Sequence, residues 1–275
     1  MKYLLSLIAL FFALSLTAQS NTYFGWIDKS AKFIENNQLD SAMYALQSAM
    51  KLDPANESNA VLLLNLGIIQ RQLRLPDDAY ISLTASLANN PDPVLALHNR
   101  ASLLVEQGRY DEAMEDYNAI IKQEPANVEA YYRRGLLFLE KNDPKNAQLD
   151  FTTCSAIDPN SLFTKLSKAL LYKLDDNWVE AEKVYTDIIA TETKTNSTFY
   201  LNRAECYVNT DRFSKAAADL HAIENEERNN PYFYILRGRV RLDQFDKFAA
   251  KADFEKAKQL GYDTELADKW IERAK

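Results

Sequence analysis

Between residues 128 and 157 the apolar positions fall at helical spacing, Tyr131, Phe138 and Leu139 in one run and Ala147, Phe151 and Cys154 in the next, with a polar break from Lys141 to Lys145. A run, a break and a second run predict two amphipathic helices joined by a tight turn. The pattern restarts at Tyr23, Ala60, Val94, Val128, Leu162, Ser197 and Pro231, spaced by 37, 34, 34, 34, 35 and 34 residues. A helix pair of this size cannot bury its own apolar stripe, so such pairs stack and share one continuous core.

Two positions stay small in all seven blocks. Position 8 is Ser30, Gly67, Ala101, Gly135, Ala169, Ala204 and Gly238, and position 20 is Ala42, Ala79, Ala113, Ala147, Ala181, Ala216 and Ala250. Small residues let the two helices of a pair approach closely. Proline stands at position 32 in four blocks, at Pro54, Pro91, Pro125 and Pro159, where a ring without an N–H ends one helix before the next. Pro76 and Pro144 stand at position 17, a helix start where the missing N–H costs nothing.

Small at position 8, Tyr, Phe or Leu at 4, 11 and 24, Ala at 20 and Pro at 32 together resemble the tetratricopeptide (TPR) repeat, over residues 23–260. The resemblance implies an all-α fold, a right-handed superhelical α-solenoid of antiparallel helix pairs spanning residues 21–263. The first block, with Lys29 and Ser30 at positions 7 and 8, is the most degenerate. Residues 264–275, with Leu266, Trp270 and Ile271 on one face, are expected to form a helix that caps the last repeat.

Residues 1–20 have another character: Lys2, an apolar run from Leu4 to Leu16 broken only by Ser6 and Ser15, then Thr17-Ala18-Gln19-Ser20. This reads as a cleaved signal peptide, too short to span a bilayer. The chain is accordingly expected to be exported, periplasmic or secreted, without a transmembrane anchor after cleavage. Two cysteines in 275 residues are no disulfide framework, and with a repeat between them Cys154 and Cys206 are expected to be buried, unpaired thiols.

The net charge is −7, from 32 basic and 39 acidic residues, and the short basic clusters are interrupted by acids. That balance disfavours nucleic acid as a partner. Within it lies one strict correlation. Arginine occupies position 7 in four blocks, at Arg100, Arg134, Arg203 and Arg237, and those blocks carry Asp116, Asp150, Asp219 and Asp253 at position 23; the other blocks have Ala45, Ser82 and Val184 there. In a hairpin turning near position 15, positions 7 and 23 face one another, so four structural ion pairs are expected.

TPR proteins generally bind their partners on the concave face lined by the first helices, at positions 2, 5, 9 and 12. That implies a partner-binding groove containing His98, Asn99, Tyr132, Leu136, Leu139, Phe163, Leu166, Leu170, Leu201, Glu205, Tyr232, Ile235 and Arg239. Glu35, Glu106, Glu140 and Asp243, at position 13, would give it an acidic rim. The carboxylate clamp of one TPR subgroup is poorly matched: Asn99 and Arg133 stand at clamp-like places, but Leu64 and Glu129 replace its lysines and Ile68 an asparagine.

No HExxH, CxxC, phosphate-binding glycine loop or nucleophile elbow occurs, and His98 and His221 are the two histidines. A non-enzymatic scaffold without cofactor or metal is expected, binding a protein or peptide segment in its groove. The alternatives are a structural component that self-associates through its ends or convex face, and an ectodomain that recognises a small molecule or glycan.

Overall fold

The computed structural model describes residues 22–88, 90, 92–191 and 196–275. The expected signal peptide and Pro91 lie outside the described residues. Among those residues there are fifteen helices and no strand, which makes the fold all-α, of the α-solenoid class. In chain order they are α1 (Tyr23–Glu35), α2 (Leu39–Leu52), α3 (Asn59–Gln72), α4 (Pro76–Leu87), α5 (Val94–Glu106), α6 (Tyr110–Gln123), α7 (Val128–Glu140), α8 (Pro144–Ile157), α9 (Leu162–Leu174), α10 (Trp178–Thr191), α11 (Ser197–Val208), α12 (Phe213–Ala222), α13 (Pro231–Asp243), α14 (Lys247–Gln259) and α15 (Thr264–Arg273). They divide into two compact units, a first containing α1–α7 and a second containing α8–α15.

Local chemistry marks the ends of these helices. Asn127, Asp143, Ser161, Asn196, Asn230, Asp246 and Asp263 each accept a backbone N–H of the helix they precede, while Pro76, Pro144 and Pro231 occupy first turns. Both devices deal with N–H groups that have no partner within the helix.

The turn inside each pair is built one way throughout. Repeat position 15 takes a left-handed conformation in all seven blocks, at Asn37, Arg74, Gly108, Asn142, Asp176, Asp211 and Phe245, with φ between 54° and 72°. The next N–H then closes on the carbonyl five residues back, as in Gln38 to Phe33 (2.8 Å), Leu75 to Gln70 (2.9 Å), Asn177 to Tyr172 (2.7 Å) and Asp246 to Arg241 (3.0 Å). This is the helix-terminating motif that glycine serves best, because every other residue pays for its Cβ there. Only Gly108 avoids that cost.

Within a pair the helices run antiparallel. Along α13 and α14, Gly238 meets Phe254 and, one turn on, Arg241 meets the Ala249 carbonyl, so numbers rise in one helix as they fall in the other. The small positions set the spacing: a Cβ on Gly67 would stand 2.6 Å from Leu83 Cγ, and one on Gly238 would stand 2.4 Å from Phe254 Cε1. All seven alanines at position 20 are fully buried. Cys154 and Cys206 are both buried and form no disulfide with one another, and burial pushes the Cys206 thiol up to about 12.

Helix α15 packs on α14 through Ala267 and Ala274, both buried, and through Trp270, whose ring stacks on Phe254 at 5.7 Å. The expected face needs one correction. Leu266 is 46 % exposed, because the buried stripe follows Ala267, Trp270, Ile271 and Ala274 and leaves Leu266 beside it.

Phe245 holds its left-handed turn with its side chain 90 % exposed, so no packing offsets the backbone cost. Phe245→Gly or Phe245→Asn should therefore stabilise the chain by about 1 kcal/mol. Urea denaturation of the two variants beside the parent measures this, and unchanged or lowered midpoints would refute it.

Candidate interaction face

The face in question is the side of each first helix that its own second helix leaves uncovered. In the first unit it carries Tyr132, Leu136 and Leu139 on α7, all half-buried, with His98 and Asn99 on α5. Asn99 Nδ2 donates to the Leu95 carbonyl one turn back. In the second unit it carries Phe163, Leu166 and Leu170 on α9, again half-buried, followed by Glu205, Tyr232 and Arg239.

Two expected groove residues are not on it. Leu201 is 8 % exposed and packs in a core with Phe233 and Leu236, where Tyr232 of the next first helix covers it. Ile235 is 2 % exposed, enclosed by Ala250, Phe254 and Ala274. Both stand at position 5, as does the buried Leu64, whereas His98, Tyr132 and Leu166 at the same position stay half-buried, so closure there depends on the element that follows. For Ile235 that element is α15.

The ionic chemistry beneath this face is regular. Arg100, Arg203 and Arg237 each grip an aspartate with two parallel bonds, Nε to Oδ2 and Nη2 to Oδ1, at 2.9 and 2.5 Å on Asp116, 2.8 and 2.7 Å on Asp219, and 3.0 and 2.8 Å on Asp253. These aspartates are buried and the arginines are nearly so. The remaining nitrogen, Nη1, reaches back to the preceding second helix or the segment after it: Arg100 to Thr84 Oγ1, Arg203 to Thr186 Oγ1, and Arg237 to Glu224 Oε1. Arg134 makes the same backward bond to Asn118 Oδ1, at 2.7 Å. Asp150 is buried on α8, and because Arg134 and Asp150 belong to different units each is described within its own. Each of the three arginine–aspartate pairs thus ties its own hairpin together and that hairpin to the one before.

Along the face, further charges meet between successive first helices. Arg71 binds Glu106 through Nε and Nη2. In the second unit Lys173 Nζ lies 2.5 Å from Glu205 Oε2 and 3.0 Å from Asn202 Oδ1, and the Tyr232 hydroxyl donates to Glu205 Oε1 at 2.7 Å. Burial, reinforced by the Glu205 carboxylate, pushes the Tyr232 phenol well above its ordinary range. Tyr262 stacks on Tyr232 at 6.4 Å, and Trp270 lies beneath the guanidinium carbons of Arg239, at 5.1 Å, and Arg273, at 4.6 Å. Lys173 stands at position 12 of its block, one of the expected groove positions, whereas Tyr262, Trp270 and Arg273 are additions to the expected set. These three lie beyond the repeats, where no repeat position marks them.

Among the described residues, no His, Cys, Asp and Glu group is arranged to hold a metal, and no helix is long and apolar enough to cross a membrane.

Hairpins packed through small residues, bracketed by a recurrent arginine and leaving one side of their first helices half-open, define a helical-repeat scaffold of the kind that mediates protein interactions. Models described as TPR repeat and tetratricopeptide repeat match residues 101–142 and 128–161. A crystal structure of a tetratricopeptide repeat protein from Parabacteroides merdae is 33 % identical in sequence, with a TM-score of 0.70 over 92 % of this chain and 98 % of that one. The chain belongs to the tetratricopeptide repeat family. It is also similar to the DnaJ homolog subfamily C member 7 homolog of Dictyostelium discoideum, at 24 % identity over 91 % of this chain and 51 % of that protein. The chain spans about half or less of the curated relatives it matches. A chain of the APC/C Cut9–Hcn1 hetero-tetramer shares the fold at 12 % identity, with a TM-score of 0.68 over 90 % of this chain and 55 % of that one.

Two measurements test this description. Removing either side of the Arg203–Asp219 pair, by Arg203→Met or Asp219→Leu, should cost about 3 kcal/mol, and the double variant should cost far less than the sum; additive losses in a double-mutant cycle would show that the two do not act together. His98 is held below the ordinary 6.5 first by burial, with the Glu129 charge opposing, so the folded chain resists its protonation. The unfolded state then binds the extra proton, and stability falls as pH drops through the window just below 6.5. Melting curves at about pH 7.5 and about pH 5 should show a smaller acid loss for His98→Gln than for the parent.

Proposed function

We propose that this TPR scaffold binds a segment of a protein partner on its first-helix face and works as an adaptor in an exported or cell-envelope assembly. The observation that carries the reading is the run of half-buried apolar side chains on α7 in the first unit, Tyr132, Leu136 and Leu139, and on α9 in the second, Phe163, Leu166 and Leu170. Packing within each unit leaves part of each side chain accessible, and large apolar side chains of that kind are what anchor a docked helix or extended segment. Export rests on the character of residues 1–20, a basic residue, an apolar run and a small-residue end.

The test is affinity capture from a cell-envelope extract with the chain lacking residues 1–20, beside a Tyr132→Ala, Leu136→Glu, Leu170→Glu variant that retains its helical circular dichroism. A captured protein should be lost at least about tenfold in the variant, equivalent to roughly 1.4 kcal/mol. Equal capture by both would place binding on another surface. Intact mass of the chain recovered from the envelope fraction tests export, which predicts a new N-terminus after Ala18 or Ser20.

A further inference from the structure

The second unit contains two neighbouring arginines that no carboxylate engages in an ion pair among the described residues. Arg239 projects from α13 and Arg273 from α15, and both guanidinium groups lie over the Trp270 indole. Among the described residues neither forms an ion pair with a carboxylate; Arg239 Nη2 donates to the neutral Asn209 Oδ1, at 3.1 Å. Of the two acids whose charge acts on Arg239, Glu205 is already held by Lys173 and by the Tyr232 hydroxyl, and Asp211 forms no ion pair with it. Arg239 is half-buried; burial is the main cause that works against its protonated form and the Arg273 charge adds to it, while Tyr232, Glu205 and Asp211 oppose them only in part.

Two like charges held beside one ring repel, and the repulsion grows as water is withdrawn. An anion between them removes it. The guanidinium fork is matched to a planar carboxylate, which it can hold with two parallel bonds. Tyr262, stacked on Tyr232, forms an adjoining aromatic wall, and its hydroxyl makes no side-chain hydrogen bond. In a chain whose net charge is −7, this is a local positive site set on the same unit and the same first-helix series as Phe163, Leu166 and Leu170.

We propose that Arg239 and Arg273, braced on Trp270, receive a side-chain carboxylate from an acidic segment of a protein partner. The proposal rests on the first-helix face being the docking surface and adds the chemistry of what docks at its end. It uses none of the lysine and asparagine positions of a carboxylate clamp.

The test titrates the full chain calorimetrically, at low salt, with a short synthetic peptide rich in Asp and Glu and with its Asn and Gln counterpart. The acidic peptide should bind at least about tenfold more tightly. Arg239→Gln with Arg273→Gln should abolish that preference with helical circular dichroism unchanged, Arg239→Lys should retain part of it, and Arg74→Gln with Arg228→Gln, a control for net charge at exposed sites, should leave it intact. No preference in the parent, or a preference that survives in the double glutamine variant, overturns the proposal. Free glutamate or inorganic phosphate displacing the peptide at comparable concentration overturns the assignment to a protein segment. Leu170→Gln separates the two readings: weaker binding of both peptides at an unchanged ratio supports the apolar face, whereas unchanged affinities for both remove the face and leave the arginine assignment to stand or fall with the glutamine variants.

Discussion

The register of three hairpins in this chain depends on a largely buried arginine placed to hold three elements at once. Arg100, Arg203 and Arg237 use one edge of the guanidinium on an aspartate of their own hairpin and the remaining nitrogen on a group of the hairpin before. An ion pair taken out of water contributes little net stability, because desolvation offsets most of its attraction. What the arrangement supplies is geometry: a planar fork accepts a carboxylate in one orientation, so the helices on either side cannot slide by a turn without leaving a charge unmatched. Apolar stacking alone, built from alanines and leucines along a repeat, would be far less selective about register.

That division of labour shapes where variation is tolerated. Positions 7, 8, 20 and 23 are committed to holding hairpins together, and position 5 is covered by the element that follows it at Leu64, Leu201 and Ile235. What stays accessible on the first helices is a narrow strip, and its chemistry differs between the units. In the first it is largely apolar around Tyr132 and Leu136; in the second the apolar patch on α9 gives way to Lys173, Glu205, Tyr232 and Arg239. Within the second unit alone, hydrophobic side chains on α9 and charged ones on α11 and α13 therefore stand at different points of the same first-helix series.

The fold was legible because its signals are properties of the backbone. A 34-residue period, small residues at two fixed places and prolines at helix boundaries need no knowledge of the neighbours, and α1–α15 begin within a residue or two of where those signals stand. The face was only partly legible. Whether Leu201 or Ile235 lines a groove depends on how closely the next element approaches, and for Ile235 the covering helix comes from outside the repeat register. The same cause hid Tyr262, Trp270 and Arg273, which have no equivalents in other blocks to point to them. Leu266 was misplaced for a different reason: α15 has two plausible apolar stripes one residue apart, and only the packing of Ala267 and Ala274 on α14 selects between them. The left-handed turn was foreshadowed by Gly108, Asn37 and Asn142 but not by Phe245, whose side chain argues against that conformation.

The seating of α15 bears on how a protein of this kind can change length. Trp270 lies flat on Phe254, and Ala274 completes the enclosure of Ile235, so the apolar end that another helix pair would need is already occupied. A duplicated repeat could be accommodated upstream of Thr264, where every hairpin has a small residue at positions 8 and 20 and four carry the position-7 arginine. Growth by internal insertion would carry the Arg239, Trp270 and Arg273 cluster along unchanged, because its members lie on α13 and α15 of one unit. The number of repeats and the chemistry of that cluster would then be free to evolve separately.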